Sequence, residues 1–320
     1  MKIHQLRTFV AISDTGSIRN AAKALELSPA AITKAMRELE AQVGVALIVR
    51  EASGIILTDA GQALLAHARL MIGQLRRAQD EMDRFSAAGR ERLTVALPTW
   101  MAIALLGGIM TRFEQKMPDT RLVFYESLLS ITVPKLRDGT LDLSVNRACP
   151  GSCRDEFQQV PLFLISYAVV GRAGHPLAKC RTLSQLKGAS WVLNRDFTET
   201  DVEGEGPFGE FFRRYKPRVH IAHSSAMMIG LITNTDVLSI MPWPLAELLV
   251  AKEGLCVLPV TETIPEVEVN LMYRRGSPLS AAAKAFIQSL KDTILEQANA
   301  SDPMSRRIFH AVECVLSPSM

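Results

Sequence analysis

Apolar residues fall into three successive rhythms along the 320-residue chain, and each rhythm predicts a different kind of structure. Over residues 1–58 they come in short helical groups. Leu6, Phe9, Val10 and Ser13 keep the spacing of one helix face until Thr15-Gly16 interrupts it. Ser17 is placed to cap a second helix, Ile18–Leu25, whose Ala21, Ala22 and Leu25 make a small apolar face. A tight turn at Glu26-Leu27 leads to Ser28 as the next cap, with Pro29 at the first helical position, where its missing N–H costs nothing. The third helix turns Ile32, Met36 and Leu39 inward and Thr33, Lys34 and Arg37 outward. Leu47–Val49 and Ile55–Leu57 then flank Ser53-Gly54 as a two-stranded wing.

The second rhythm covers residues 58–86. Leu64, Ala68, Met71, Leu75, Ala78, Met82 and Phe85 step alternately by four and three, the seam of one helix roughly 40 Å long. Such a seam lies either on its own domain or against a second copy. Ala88-Gly89 ends it before a new domain, which favours the second copy. The third rhythm, over residues 92–300, alternates strand and helix. Strands are predicted at Leu93–Leu97, Leu122–Tyr125, Leu141–Val145, Leu164–Val170, Trp191–Leu193, Val219–Ala222, Val237–Ile240 and Val267–Tyr273. Helices are predicted at Met101–Glu114, Thr132–Arg137, Gly209–Tyr215, Ala226–Ile232, Leu245–Val250 and Ser280–Ala298. This order implies mostly parallel sheets with ligand clefts at strand carboxyl ends. The tail after Asn299 carries no readable pattern.

Composition narrows the class. The chain is 48% hydrophobic and 22% charged, ordinary for a globular protein of two or three domains. No apolar run approaches the roughly 18 residues that span a bilayer, and His4, Gln5 and Arg7 interrupt any export-type apolar core at the N-terminus. Five scattered cysteines (Cys149, Cys153, Cys180, Cys256, Cys314) form no zinc set and are expected to be reduced thiols of a cytoplasmic protein. The net charge of +3 does not announce nucleic acid by itself; residues 1–58 hold seven Lys+Arg against five Asp+Glu, a mild excess. No G-x-S-x-G, H-E-x-x-H or phosphate-cradling glycine loop is present. His175-Pro176 reads as a structural histidine in a loop, and the run Glu199, Asp201, Glu203, Glu205 as a solvated loop rather than a metal site. No enzyme, cofactor or metal is expected.

Ser17–Glu40 carries the strongest chemistry. Two helices joined by a turn, the second opening with small and polar residues, suit a DNA major groove. Ala30 permits close approach, Thr33 and Lys34 reach for base edges or phosphates, and Arg37 follows one turn on. Caps such as Ser17 and Ser28 leave backbone N–H groups for phosphate oxygens. A three-helix bundle with a solvated basic face is the competing reading.

The run Phe9-Val10-x3-Asp14-x-Gly16-Ser17-x4-Ala21-Ala22-x2-Leu25, then Ser28-x2-Ala31-x-Thr33-x5-Leu39-Glu40-x3-Gly44-x2-Leu47-x2-Arg50, then Leu57-Thr58-x-Ala60-Gly61, resembles the head of LysR-type transcription regulators. Pro29-Ala30 stands where that family usually has Gln-Pro, so a common base or phosphate contact is lost. Lys135–Leu143 and His175-Pro176-Leu177-Ala178 resemble segments of the family's body. Asn234 and Asp236 stand in its usual glycine neighbourhood and are expected to keep a left-handed turn.

The resemblance implies an α/β chain with a winged helix-turn-helix head at 1–58, a linker and dimerisation helix at 59–89, an effector domain at 90–300 and a tail at 301–320. The effector domain would have two lobes like type 2 periplasmic binding proteins, one of about 92–163 and 267–300 and the other of about 164–266. It implies double-stranded DNA, a small-molecule effector, a homodimer or tetramer and RNA polymerase as partners, with no membrane. DNA contacts are then expected at Ser17, Ser28, Pro29, Ala30, Thr33, Lys34, Arg37, Arg50 and Ser53. The effector site is expected at Thr99 and Trp100 after the first strand, at Ser127, Leu129 and Ser130 after the second, at Arg147, and at Asn194 and Phe197 on the opposite wall. Hydroxyls and helix N-termini there suit a carboxylate or an aromatic acid. Two other classes share the body's pattern: a solute-binding protein, which needs no head, and a small-molecule enzyme, which needs catalytic groups.

Overall fold

The computed structural model describes residues 1–51, 54–83, 91–149, 156–194, 207–252, 254–262, 266–276, 278–310 and 312–315. They divide into two compact units, 1–91 with 134–141, and 92–133 with 142–320.

The first unit begins with α1 (Ile3–Thr15), α2 (Ile18–Ala24), α3 (Pro29–Val43), strands β1 (Ile48–Glu51) and β2 (Gly54–Leu57), and α4 (Asp59–Asp83). Local chemistry sets each boundary. Gly16 takes the left-handed conformation at φ 63° and closes α1 with its N–H on Ile12 O at 2.8 Å. The Ser28 hydroxyl accepts the Ala31 N–H at 3.2 Å at the start of α3, and Pro29 holds its first position. Ser17 occupies the cap of α2, but its side chain makes no capping hydrogen bond. The wing pairs antiparallel, Ile48 opposite Leu57, and Ile55 N–H donates to Gly16 O at 3.1 Å. Leu6, Phe9, Ile12, Ala21, Ile32, Met36 and Leu39 form the core, and Ala68 of α4 is buried with them.

The second unit holds two sheets. One contains β3 (Arg92–Leu97), β4 (Arg121–Glu126), β5 (Leu143–Arg147), β6 (Phe157–Ile165), β12 (Val267–Arg274) and β13 (Val312–Cys314), in the order β13-β6-β12-β5-β3-β4. The other contains β7 (Tyr167–Arg172), β8 (Ser190–Asn194), β9 (Val219–Ala222), β10 (Val237–Pro242) and β11 (Leu255–Val257), in the order β11-β7-β10-β8-β9. The helices that follow the head are α5 (Thr99–Ala104), α6 (Leu106–Lys116), α7 (Leu129–Asp138, whose residues from Pro134 on belong to the first unit), α8 (Pro207–Tyr215), α9 (Ser225–Asn234), α10 (Trp243–Lys252), α11 (Ala281–Ala298) and α12 (Pro303–Phe309).

Four expectations about strands, helices and turns need correction. The sheets are mixed rather than mostly parallel: among the described residues only β4-β3-β5 and β10-β8-β9 run parallel, while β6, β7, β11, β12 and β13 pair antiparallel. The strand expected at Leu164–Val170 is two strands in different sheets, divided at Ser166. An unbroken apolar run shows that a segment is buried, not that the chain changes sheet within it. The helix expected at Met101–Glu114 is α5 and α6, broken at buried Leu105. Asn234 and Asp236 are not left-handed; among the described residues only Glu26 and Lys216 combine a side chain with positive φ. Asn234 Nδ2 and Thr235 Oγ1 instead donate to Gly230 O and Leu231 O, at 2.8 and 2.7 Å, which satisfies the last carbonyls of α9 without a left-handed residue.

The tail is structured where it is described: α12 packs against α10 and α11, and β13 extends the sheet at β6. Cys149, expected to be a free thiol, is buried and disulfide-bonded; Cys180, Cys256 and Cys314 are free, and Cys153 lies outside the described residues. An odd count and scattered spacing along the sequence do not show which cysteines meet in the fold.

Candidate functional site

Two sites emerge, one in each unit. In the head, α3 buries Ile32, Ala35, Met36 and Leu39 and leaves Pro29, Ala30, Ala31, Lys34 and Arg37 exposed. A helix face with small residues at its N-terminal turn and cations one and two turns on is what a major groove accepts. Thr33 is half-buried, and its hydroxyl donates to Pro29 O at 2.8 Å, so its proton serves the helix rather than an outside acceptor. Ser17 is half-buried and Ser28 exposed. The backbone of Arg50 lies in β1, its side chain and Ser53 lie outside the described residues.

Much of the motif in the head is scaffold. The Glu40 carboxylate accepts the Leu47 N–H at 2.8 Å and the Ile48 N–H at 3.3 Å, pinning the start of the wing to α3. The Thr58 hydroxyl donates to Ala46 O at 2.8 Å and accepts the Gly61 N–H at 3.0 Å as α4 begins. A Cβ at Gly61 would stand 2.1 Å from Leu47 O, so only glycine fits. Asp14 pairs with Arg69 of α4. On α4 itself, Leu64, Leu65 and Ile72 pack on the head core, whereas Met71, Ala78 and Met82 are exposed, Met82 at 57%. Leu75 is half-buried and Phe85 lies outside the described residues.

In the second unit a cleft opens between the two sheets at the carboxyl ends of their parallel strands, the place where α/β topology leaves room for a ligand. Its volume is about 90 Å³. Thr99 follows β3, Ser127 follows β4, Arg147 ends β5 and Asn194 ends β8, and all four line it with Ile165, Met228 and Ile240. Trp100 also reaches the lining but is 1% exposed and stacks edge-on against Phe163 at 5.5 Å between centroids, so it is core. Leu129 and Ser130 do not line the cleft, because β4 ends at Glu126 and the chain has already turned into α7. Phe197 lies outside the described residues, as do Glu199, Asp201, Glu203 and Glu205.

The cleft holds a group the sequence reading missed. Glu126 Oε1 accepts the Ser225 amide N–H at 2.9 Å and also the Ser225 hydroxyl. The Thr99 hydroxyl lies 3.1 Å from the same oxygen and 2.9 Å from Ser225 Oγ. Glu126 and Thr99 belong to the first sheet's side and Ser225 opens α9 over the second, so this cluster joins the two lobes. The Ser127 hydroxyl donates to Val145 O within its own lobe. The rule that picked Ser127, residues at a strand's carboxyl end, also covers Glu126.

His175 is structural by its contacts. Its Nδ1 accepts the Leu177 N–H at 3.0 Å, which leaves the proton on Nε2 to donate to Asp236 O at 3.1 Å. Among the described residues, no group of three His, Cys, Asp or Glu could hold a metal, and no helix is long and apolar enough to cross a membrane.

Comparison with known proteins covers both the head and the body. The family model described as bacterial regulatory helix-turn-helix protein, lysR family, matches residues 3–62, and the LysR substrate binding domain model matches residues 86–294. The HTH-type transcriptional regulator TdcA of Escherichia coli (strain K12) is 24% identical over 91% of this chain and 93% of its own. The crystal structure of CbnR, a LysR family transcriptional regulator, aligns with a TM-score of 0.60 at 20% identity, covering 92% of this chain and 99% of that one. Full-length CbnR complexed with its target DNA aligns with a TM-score of 0.55 at 23% identity, covering 92% and 100%. At such identities these two structures speak for the fold alone. With a helix-turn-helix head and a two-lobed substrate-binding body matched by the family's own models over most of its length, the chain belongs to the LysR family of DNA-binding transcription regulators.

Proposed function

We propose that this chain reads an operator through α3 and adjusts that reading to a small organic acid held between the two lobes, without catalysing a reaction on it. The observation that carries the effector half is the cleft itself, where Thr99, Ser127, Arg147 and Asn194 converge from the carboxyl ends of strands in both sheets. Arg147 brings positive charge for the acid's carboxylate, and Asn194 faces it with an amide from the second lobe. At about 90 Å³ the space is below the ~150 Å³ cavity that takes up benzene, so a short aliphatic acid fits better than an aromatic one unless the lobes part. On the DNA side, exposed Lys34 and Arg37 take bases or phosphates, Ala30 allows close approach, and the Ser17 and Ser28 turns meet the backbone.

Two heads are needed for two half-sites, and the exposed Met71, Ala78 and Met82 of α4 offer the seam for a second copy, with tetramers as pairs of such dimers. The working partners are then operator DNA, the acid, further copies of the chain and RNA polymerase, in the cytoplasm. Fluorescence anisotropy on DNA taken from beside the chain's own gene, with and without a panel of small acids, tests the reading. Operator binding that shifts with one class of acid is the expected result. Binding no tighter to that DNA than to a scrambled duplex, with or without acids, would overturn it.

A further inference from the structure

We infer that Glu126 sets the chemical class of the effector: it admits small acids that carry an ammonium or hydroxyl group beside the carboxylate and turns away plain carboxylates. The inference rests on the reading of the interlobe cleft as the effector site. Its ground is that the donors suited to a ligand carboxylate are already taken by one of the chain's own. Glu126 Oε1 holds the Ser225 N–H at 2.9 Å and the Ser225 hydroxyl, with the Thr99 hydroxyl 3.1 Å away. Glu126 and Ser224 take different open donors of the first turn of α9: the Ser224 hydroxyl accepts the Met227 N–H at 3.3 Å, and Glu126 accepts the Ser225 N–H.

A second carboxylate on the same donors would lie within a few ångströms of Glu126 in a space of about 90 Å³, where two like charges disfavour each other strongly. Among the described residues no hydrogen bond reaches Glu126 Oε2, and Glu126 lines the cleft, so the carboxylate keeps acceptor capacity for a ligand that donates. Arg147 lines the same space with the opposite charge. A ligand that presents a carboxylate toward the arginine and an ammonium or hydroxyl toward the glutamate matches both; an α-amino or α-hydroxy acid of a few carbons has that shape. Losing the donor would leave the Glu126 carboxylate desolvated and unanswered, the kind of mismatch by which a polar site rejects an analogue.

The test uses the full chain, with ligand affinity read from the shift of the thermal midpoint. The probes are L-alanine, L-serine and lactate against propionate and acetate. The parent should bind the amino or hydroxy acids roughly 10- to 100-fold more tightly than propionate, the range of a hydrogen bond to a charged group. In Glu126→Ala the vacated donors should take up acetate and propionate that the parent ignores, and the preference for alanine should vanish. Glu126→Gln, which keeps the shape without the charge, should lose the preference for the ammonium while retaining lactate, and it serves if the alanine variant does not fold. A parent that binds propionate as tightly as alanine overturns the inference while leaving a small-acid site in place. A parent that responds to none of the five overturns it together with the small-acid reading.

Discussion

Lys34 and Arg37 leave the head on the exposed face of α3, while Thr33 turns its hydroxyl back onto its own helix. Lys34→Ala should therefore weaken operator binding by about 1–3 kcal/mol, and Thr33→Ala by clearly less, as read by anisotropy; equal losses would show that the Thr33 hydroxyl leaves the helix on DNA. The outward set on α3 was legible because its partners lie within four residues. The work of Glu40, Thr58 and Gly61 was not, since what each meets is fixed by the wing folding back on α3. Those residues of the family pattern hold the head together. Gly61→Ala forces a Cβ against Leu47 O and should destabilise the head by roughly 1–3 kcal/mol, measurable as an earlier unfolding transition. An unchanged midpoint would mean that α4 can slide at its start.

At the scale of elements, the rhythms along the chain gave most helices and strands nearly in place, because a period of 3.6 or 2 is written locally. Sheet membership is not local: β6 and β7 are contiguous apolar strands that part at Ser166, and β6 lies between β12 and β13, from the far end of the chain. The α4 seam divides into two uses. Its first half packs on the head core, as the alternative reading of a helix lying on its own domain held, and its second half exposes Met71, Ala78 and Met82. Leu75→Asp puts a charge into the proposed helix pair, where an unpaired buried charge is costly. Light scattering should then show smaller species than the parent forms; a parent that is already monomeric at micromolar concentration would sink the proposed pairing. At the other end of the chain, the Ser305 hydroxyl and amide hold the Asp302 carboxyl below its ordinary range while it caps α12. The cap's contribution is thus complete above the ordinary carboxylate pKa and is lost as pH falls through the lowered value. Protection of residues 303–309 against hydrogen exchange, relative to the intrinsic rate at each pH, should fall only in acid, and in Asp302→Ala it should be low at every pH.

Across the whole molecule, a DNA-binding head and a candidate ligand cleft sit on one chain, and in the proposed function their two equilibria are linked. The cleft's position at strand carboxyl ends was readable from the alternation of strands and helices, and Thr99, Ser127, Arg147 and Asn194 lie there. Its character was not, because Glu126 and Ser225 are 99 residues apart and meet only when the lobes face each other. Linkage makes the claim quantitative: an acid that changes operator affinity by some factor must itself bind the operator complex with an affinity changed by the same factor. Couplings of this kind typically amount to about 1–3 kcal/mol, or roughly 5- to 150-fold. The most direct measurement is a calorimetric titration of the effective acid into the protein, once free and once saturated with operator DNA. Two affinities are expected, their ratio matching the acid's effect on operator binding; identical affinities in the two titrations would contradict the proposed linkage.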